Sequence, residues 1–157
     1  MKIELVINGS RREAEVAPGE TLMEFLRRSG YASVKNGCAN GDCGTCAVLL
    51  DGRAVTSCLM FAAQAAGREV TTVEDLAGSA GLHPMQQALL DAGGVQCGFC
   101  IPGMLAMALD LVRRVPDPTF DEVRIALAGN LCRCTGYVKQ IEGVLVGAAR
   151  MREGTSG

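Results

Sequence analysis

Lys35-Asn36-Gly37-Cys38-Ala39-Asn40-Gly41-Asp42-Cys43-Gly44-Thr45-Cys46 places three cysteines and three glycines in twelve residues. No apolar period runs through it, so it reads as a loop wrapped around something. Glycine reaches backbone angles that a Cβ forbids, and it lets backbone N–H groups approach whatever the loop encloses. A fourth thiol, Cys58, follows at the end of the second predicted strand after it, 53–56.

C-x4-C-x2-C with one further cysteine is the ligand spacing of plant-type 2Fe–2S clusters. A structural zinc site and a disulfide pair are the alternatives. A glycine-rich loop that follows a hairpin and a short helix favours the cluster. A second group of thiols lies downstream, as Cys97-Gly98-Phe99-Cys100 and Cys132-Arg133-Cys134. A C-x-C pair is unusual for structural zinc, whose paired ligands commonly stand two to four residues apart; by spacing alone, zinc stays open for this group. Four plus four leaves no cysteine over, and the simplest reading is two metal–sulfur centres in series. Such a chain conducts electrons.

The sequence around the loop predicts its scaffold. Ile3, Leu5 and Ile7 share one strand face, Asn8-Gly9 is a hairpin signal, and 11–16 returns as a second strand. Thr21 to Glu24 is a capping box that opens a short helix with Leu22, Phe25 and Leu26 inward, and Gly30 is placed to end it. Further strands are expected over 47–50, 53–56 and 70–73. These make residues 1–76 an α+β unit of the β-grasp, ferredoxin-like kind. After a small-residue linker at 77–81 the period becomes helical. Helices are expected from Pro84 to Ala92, from Pro102, from the Thr119–Glu122 capping box to Gly129, and from Val138 to Arg150, with a frayed tail over 153–157. Residues 77–157 are therefore predicted to be a four-helix bundle of similar-length helices. It would hold Cys97 and Cys100 in one interhelical loop and Cys132 and Cys134 in another at the same end.

Composition narrows the function classes. Fifteen basic against seventeen acidic residues give a net charge of −2, which is not the basic footprint of a nucleic-acid binder. Nor is it the strongly acidic surface of a carrier steered to its partners by charge. With 48% hydrophobic and only 20% charged residues, composition fits either a surface partly covered in a lasting complex or a compact Ala- and Gly-rich monomer. No export signal and no run long enough to span a bilayer is visible, so a cytoplasmic location is expected. Reduced thiols in that compartment point to metal rather than to disulfides.

Gln96 to Met104 and Gly129 to Tyr137, together with Asn36 to Cys46 and Val55 to Leu59, closely resemble the iron–sulfur subunit of the molybdenum hydroxylases. That family includes the xanthine dehydrogenase, aldehyde oxidoreductase and carbon monoxide dehydrogenase types. The resemblance implies a ferredoxin domain followed by a four-helix domain, each with one 2Fe–2S cluster. Cys38, Cys43, Cys46 and Cys58 would bind the first, and Cys97, Cys100, Cys132 and Cys134 the second. It implies a large partner subunit carrying a molybdopterin-type cofactor, contacted by Gln96 and near Cys134. It implies an FAD-binding medium subunit as the next electron acceptor, in a complex built as a dimer of heterotrimers. Ile101 and Ala47 stand where the family often has Thr, and the run Val138 to Ile141 departs from its usual form. The chain itself would carry no catalytic residue.

His83, the one histidine, precedes Pro84 and reads as a helix start rather than a metal ligand. The seven methionines read as core fillers. Two other functions fit the thiols: an independent two-cluster carrier, and a zinc-stabilised interaction module.

Overall fold

The computed structural model describes residues 1–77 and 81–154. Most of the predicted linker, 78–80, therefore lies outside the described residues. Strand β1 (Lys2–Ile7) returns as β2 (Ser10–Glu15) through Asn8 and Gly9, both at positive φ, the conformation that matches the twist of a two-residue hairpin. Helix α1 (Leu22–Arg28) opens on the Thr21–Glu24 capping box, and Gly30 follows its end at φ 94. Three more strands complete the sheet: β3 (Ala47–Leu50), β4 (Arg53–Thr56) and β5 (Glu69–Thr71). Their order is β2-β1-β5-β3-β4, with β1 and β5 parallel and the other pairs antiparallel. Strand β5 stops short of the predicted Val73. There the Thr72 N–H turns to the Asn8 side chain, and a single 3-10 turn follows.

Ile3, Leu5 and Ile7 face α1, whose Leu22, Phe25 and Leu26 are fully buried against them. Each such side chain contributes about 1.5–3 kcal/mol by leaving water. Strand β3 is different, because all four of its residues are buried. Val48 and Leu50 belong to the core under α1, while Ala47 and Leu49 belong to a second core made by the downstream helices. One strand thus serves two cores.

The downstream helices are α2 (Pro84–Asp91), α3 (Ile101–Arg114), α4 (Phe120–Ala126) and α5 (Val138–Gly154). Against the expectation of similar lengths, they run 8, 14, 7 and 17 residues. Helix α4 ends three residues before Gly129. Helix α5 continues through Glu153, so the described part of the predicted tail is helical. His83 caps α2, its Nδ1 accepting the Met85 N–H at 3.1 Å. Helices α2 and α5 approach closely because Gly143 and Gly147 leave room for Leu89 and Met85. Helix α3 lies on β3. Its Asp110 pairs with Arg53 of β4 at 2.7 Å and with Arg114 at 3.3 Å, and Arg113 donates to the Gly52 carbonyl at 3.0 Å. The Arg53 contact is an ion pair without the alignment of a directed hydrogen bond.

Strand β3 starts directly after Cys46 and α3 directly after Cys100. The packing of this helix on this strand therefore sets the two groups of thiols side by side.

Candidate metal centres

The first group is held by backbone. Lys35 N–H to the Thr45 carbonyl (3.4 Å) closes the loop at its neck, and Arg27 holds the Val34 carbonyl at 2.6 Å. Ala39, Gly41 and Gly44 take positive φ inside it. The Cys38 thiol receives the backbone N–H of Asn40, then those of Cys43 and Asp42, and these hold it down at about 7. Cys38 also bonds the Cys43 thiol, which meets the Thr45 hydroxyl at 3.2 Å. Cys46 and Cys58 are buried, at 2% and 6% exposure. Burial pushes the Cys58 thiol up to about 11, helped by its hydrogen bond with Cys46. A Cβ on Gly37 would sit 2.8 Å from both the Cys43 sulfur and the Thr45 hydroxyl, so the cradle admits no side chain there.

The second group joins two interhelical loops. Cys134 Sγ lies 3.6 Å from Cys97 Sγ, both exposed, and Cys100 bonds Cys132 deeper in. Burial drives the Cys100 thiol up to about 12, with further push from its bond to Cys132 and from the charge there. Desolvation also opposes ionisation of Cys132. The Thr135 hydroxyl, the N–H groups of Thr135 and Cys134, and the Gln140 side chain outweigh it and hold Cys132 at about 6. Cys134 is raised by its bond to Cys97. Tyr137 adopts φ 72, a conformation costly for a side chain with a Cβ, and its hydroxyl accepts the Cys132 N–H at 2.9 Å.

A seam connects the two groups. Leu131 N–H donates to the Cys43 carbonyl at 3.0 Å, and Asn130 Nδ2 donates to the Gly44 carbonyl at 3.0 Å. Gly103, at the start of α3, presses against that same Gly44 carbonyl without room for a Cβ. Phe99 reaches over Gly37.

The donor set suits two-iron clusters. All eight thiols are free, and each foursome divides into two contacting pairs: 38 with 43, 46 with 58, 97 with 134, and 100 with 132. Two thiolates on one tetrahedral metal with bonds of about 2.3 Å stand about 3.8 Å apart, close to the 3.6 Å between Cys97 and Cys134. The lowered Cys38 and Cys132 already favour the thiolate, whereas Cys58 and Cys100 would yield their protons to a metal.

Gln96 is exposed beside Cys97 on the open side of the second group. His83 is remote from the thiols in role, since its ring caps a helix; burial and the nearby Arg113 lower its pKa. The reading of the sequence missed Asn130, Thr135 and Gln140. The signal for Gln140 was its place in α5: it is a polar residue in register with Val144 and Gly147 on the buried stripe.

Residues 5–77 match the family described as "2Fe-2S iron-sulfur cluster binding domain", and 72–145 match the "[2Fe-2S] binding domain". The chain is 47% identical over 146 residues to the nicotine 6-hydroxylase small subunit of Paenarthrobacter nicotinovorans, covering 92% of this chain and 88% of that one. It is 46% identical over 145 residues to the xanthine dehydrogenase iron-sulfur-binding subunit of Escherichia coli O157:H7, covering 91% of each. Among solved structures it superposes on quinoline 2-oxidoreductase from Pseudomonas putida 86 with a TM-score of 0.94 and 41% identity, over 98% of this chain and 97% of that one. With cysteine spacing, thiol pairing, fold and relatives in agreement, the chain belongs to the small iron–sulfur subunits of the molybdenum hydroxylases, oxidoreductases whose substrate site lies on another subunit.

Proposed function

We propose that this chain carries electrons from a molybdopterin site on a large subunit, through the second cluster and then the first, toward FAD on a medium subunit. One observation carries the reading: two foursomes of thiols, each paired two and two, are joined by the Leu131 N–H to Cys43 carbonyl bond. Leu131 is the neighbour of Cys132, so a single hydrogen bond links ligand candidates of the two centres. In this reading Cys38, Cys43, Cys46 and Cys58 bind the first cluster within a β-grasp domain, 1–76. Cys97, Cys100, Cys132 and Cys134 bind the second within a four-helix bundle domain, 77–157. Gln96 and Cys134 meet the pterin, in keeping with their exposure.

Each cluster takes one electron at a time, so two in series divide a two-electron oxidation. The protein's part is to hold the thiolates, aim donors at them and keep water from the buried sulfurs. Exposed apolar side chains flank both sites, Phe99, Leu131 and Val138 at the second and Leu59 and Phe61 at the first. They suit lasting contact with partner subunits. The assembly is read as a dimer of heterotrimers in the cytoplasm; among the described residues no helix is long and apolar enough to cross a membrane.

Replacing Cys134 with Ser tests the assignment. Turnover of the complex should fall at least about tenfold, and the EPR signal of one reduced cluster should change while the other keeps its form. Full turnover with two unaltered signals would overturn it. Metal content separates the rivals: iron and acid-labile sulfide at about four each per chain mark two clusters, whereas colourless zinc protein marks an interaction module. Purification without large partner chains marks a free carrier.

A further inference from the structure

Gln140 is wholly buried in α5, on a stripe otherwise made of Ile141, Val144 and small residues. Its Nε2 lies 3.5 Å from Cys100 Sγ, and the same amide also bonds the Cys132 thiol. Cys100 and Cys132 are the inner pair of the second site, so the amide has one N–H for each sulfur. Its Oε1 is buried with no hydrogen-bond partner. An apolar side chain of similar size would fill the space without stranding that oxygen. Packing alone therefore gives no reason for an amide here, and its donors do.

We propose that Gln140 sets the reduction potential of the second cluster by donating its side-chain N–H groups to the Cys100 and Cys132 sulfurs. The inference rests on reading those thiols as cluster ligands. Reduction places one more negative charge on the cluster and its sulfurs. An N–H···S bond strengthens as that charge grows, and between the wholly buried amide and the buried Cys100 sulfur the gain is little screened. The amide thus favours the reduced form and raises the potential. The first site gets most of its donors from the backbone of Asn40, Asp42, Cys43 and Gly41, beside the Thr45 hydroxyl at Cys43. The second draws part of its donors from a buried side-chain amide that substitution can change. The orientation of the amide follows chemically, since an oxygen turned toward two thiolates would be repelled.

The test is an EPR-monitored redox titration of the complete complex. Gln140→Leu should lower the second cluster's midpoint so that its reduced-to-oxidised ratio at a fixed potential falls about tenfold, about 59 mV for a one-electron couple. The first cluster's midpoint and the iron content should not move. Gln140→Glu, whose buried carboxyl keeps its proton beside the thiolates and offers one O–H donor, should lower the midpoint less than Gln140→Leu does. A Gln140→Leu complex with both clusters loaded and both midpoints unchanged overturns the proposal, because a structural role predicts that result. Should the variants fail to assemble, the unsubstituted complex still decides. Glutamine labelled with 15N in its side chain should couple to the reduced second cluster, and the coupling should survive Gln96→Leu. Its absence overturns the proposal. If the unsubstituted complex shows only one 2Fe–2S signal, the two-cluster reading itself fails.

Discussion

The two thiol sites solve one problem by different means. The first is a single loop, 35–46, completed by Cys58; glycines let its backbone N–H groups turn on the sulfurs. The second is stitched from two loops about thirty residues apart in sequence, and its sulfurs lean on side chains: Thr135, Gln140 and, through the Cys132 N–H, Tyr137. A backbone-built site is intolerant of added Cβ atoms and indifferent to many side chains. A side-chain-built site has the opposite sensitivity. The seam at Gly44, Gly103 and Asn130 belongs to both.

The seam gives the largest expected effect. In Gly103→Ala the new methyl meets the Gly44 carbonyl, a backbone atom that cannot swing aside. We expect a loss of about 3 kcal/mol, a fall in Tm of about 6–12 °C by calorimetry, and loss of iron from both sites. Unchanged Tm and iron would show the seam to be loose. Next is Gly37→Ala, which collides with the Cys43 sulfur. It should remove the first cluster alone, leaving about two irons per chain and the second cluster's EPR signal. Gly136→Ala, at φ 71 with open space around it, should cost only about 1–2 kcal/mol of backbone strain and keep both signals. If the two alanines behave alike, the contrast between the sites dissolves. The smallest effect is expected at Asp110→Ala, far along α3. Arg53 and Arg114 are 65% and 45% exposed, so they stay hydrated when their partner goes. The loss should be about 1 kcal/mol, or about 2–4 °C, with both EPR signals intact. A changed signal would mean that the lock between α3 and β4 also tunes a cluster.

Local chemistry was legible in the sequence. Asn8-Gly9 forms its hairpin, Thr21 and Thr119 cap their helices, and the first four cysteines gather as their spacing implies. Long-range pairing was not. Nothing in C-x2-C and C-x-C says that Cys97 meets Cys134 while Cys100 meets Cys132, because that order depends on how α3 and α5 enter the site. Gly129 looked like a helix end. The helix stops earlier, and the Gly129 carbonyl instead closes on Gly44. Helix lengths were misjudged where capping signals were absent, as at the end of α5. Gln140 hid in plain view, since a lone polar residue on an apolar stripe reads as noise until the sulfur beneath it is seen.

Strand β3 offers Val48 and Leu50 to one core and Ala47 and Leu49 to the other. Severing the chain near residue 77 would uncover Ala47 and Leu49 on an apolar sheet face next to Cys46 and leave the fragment prone to self-association. The helices that carry the second group of thiols are thus also the cover of the strand that follows Cys46.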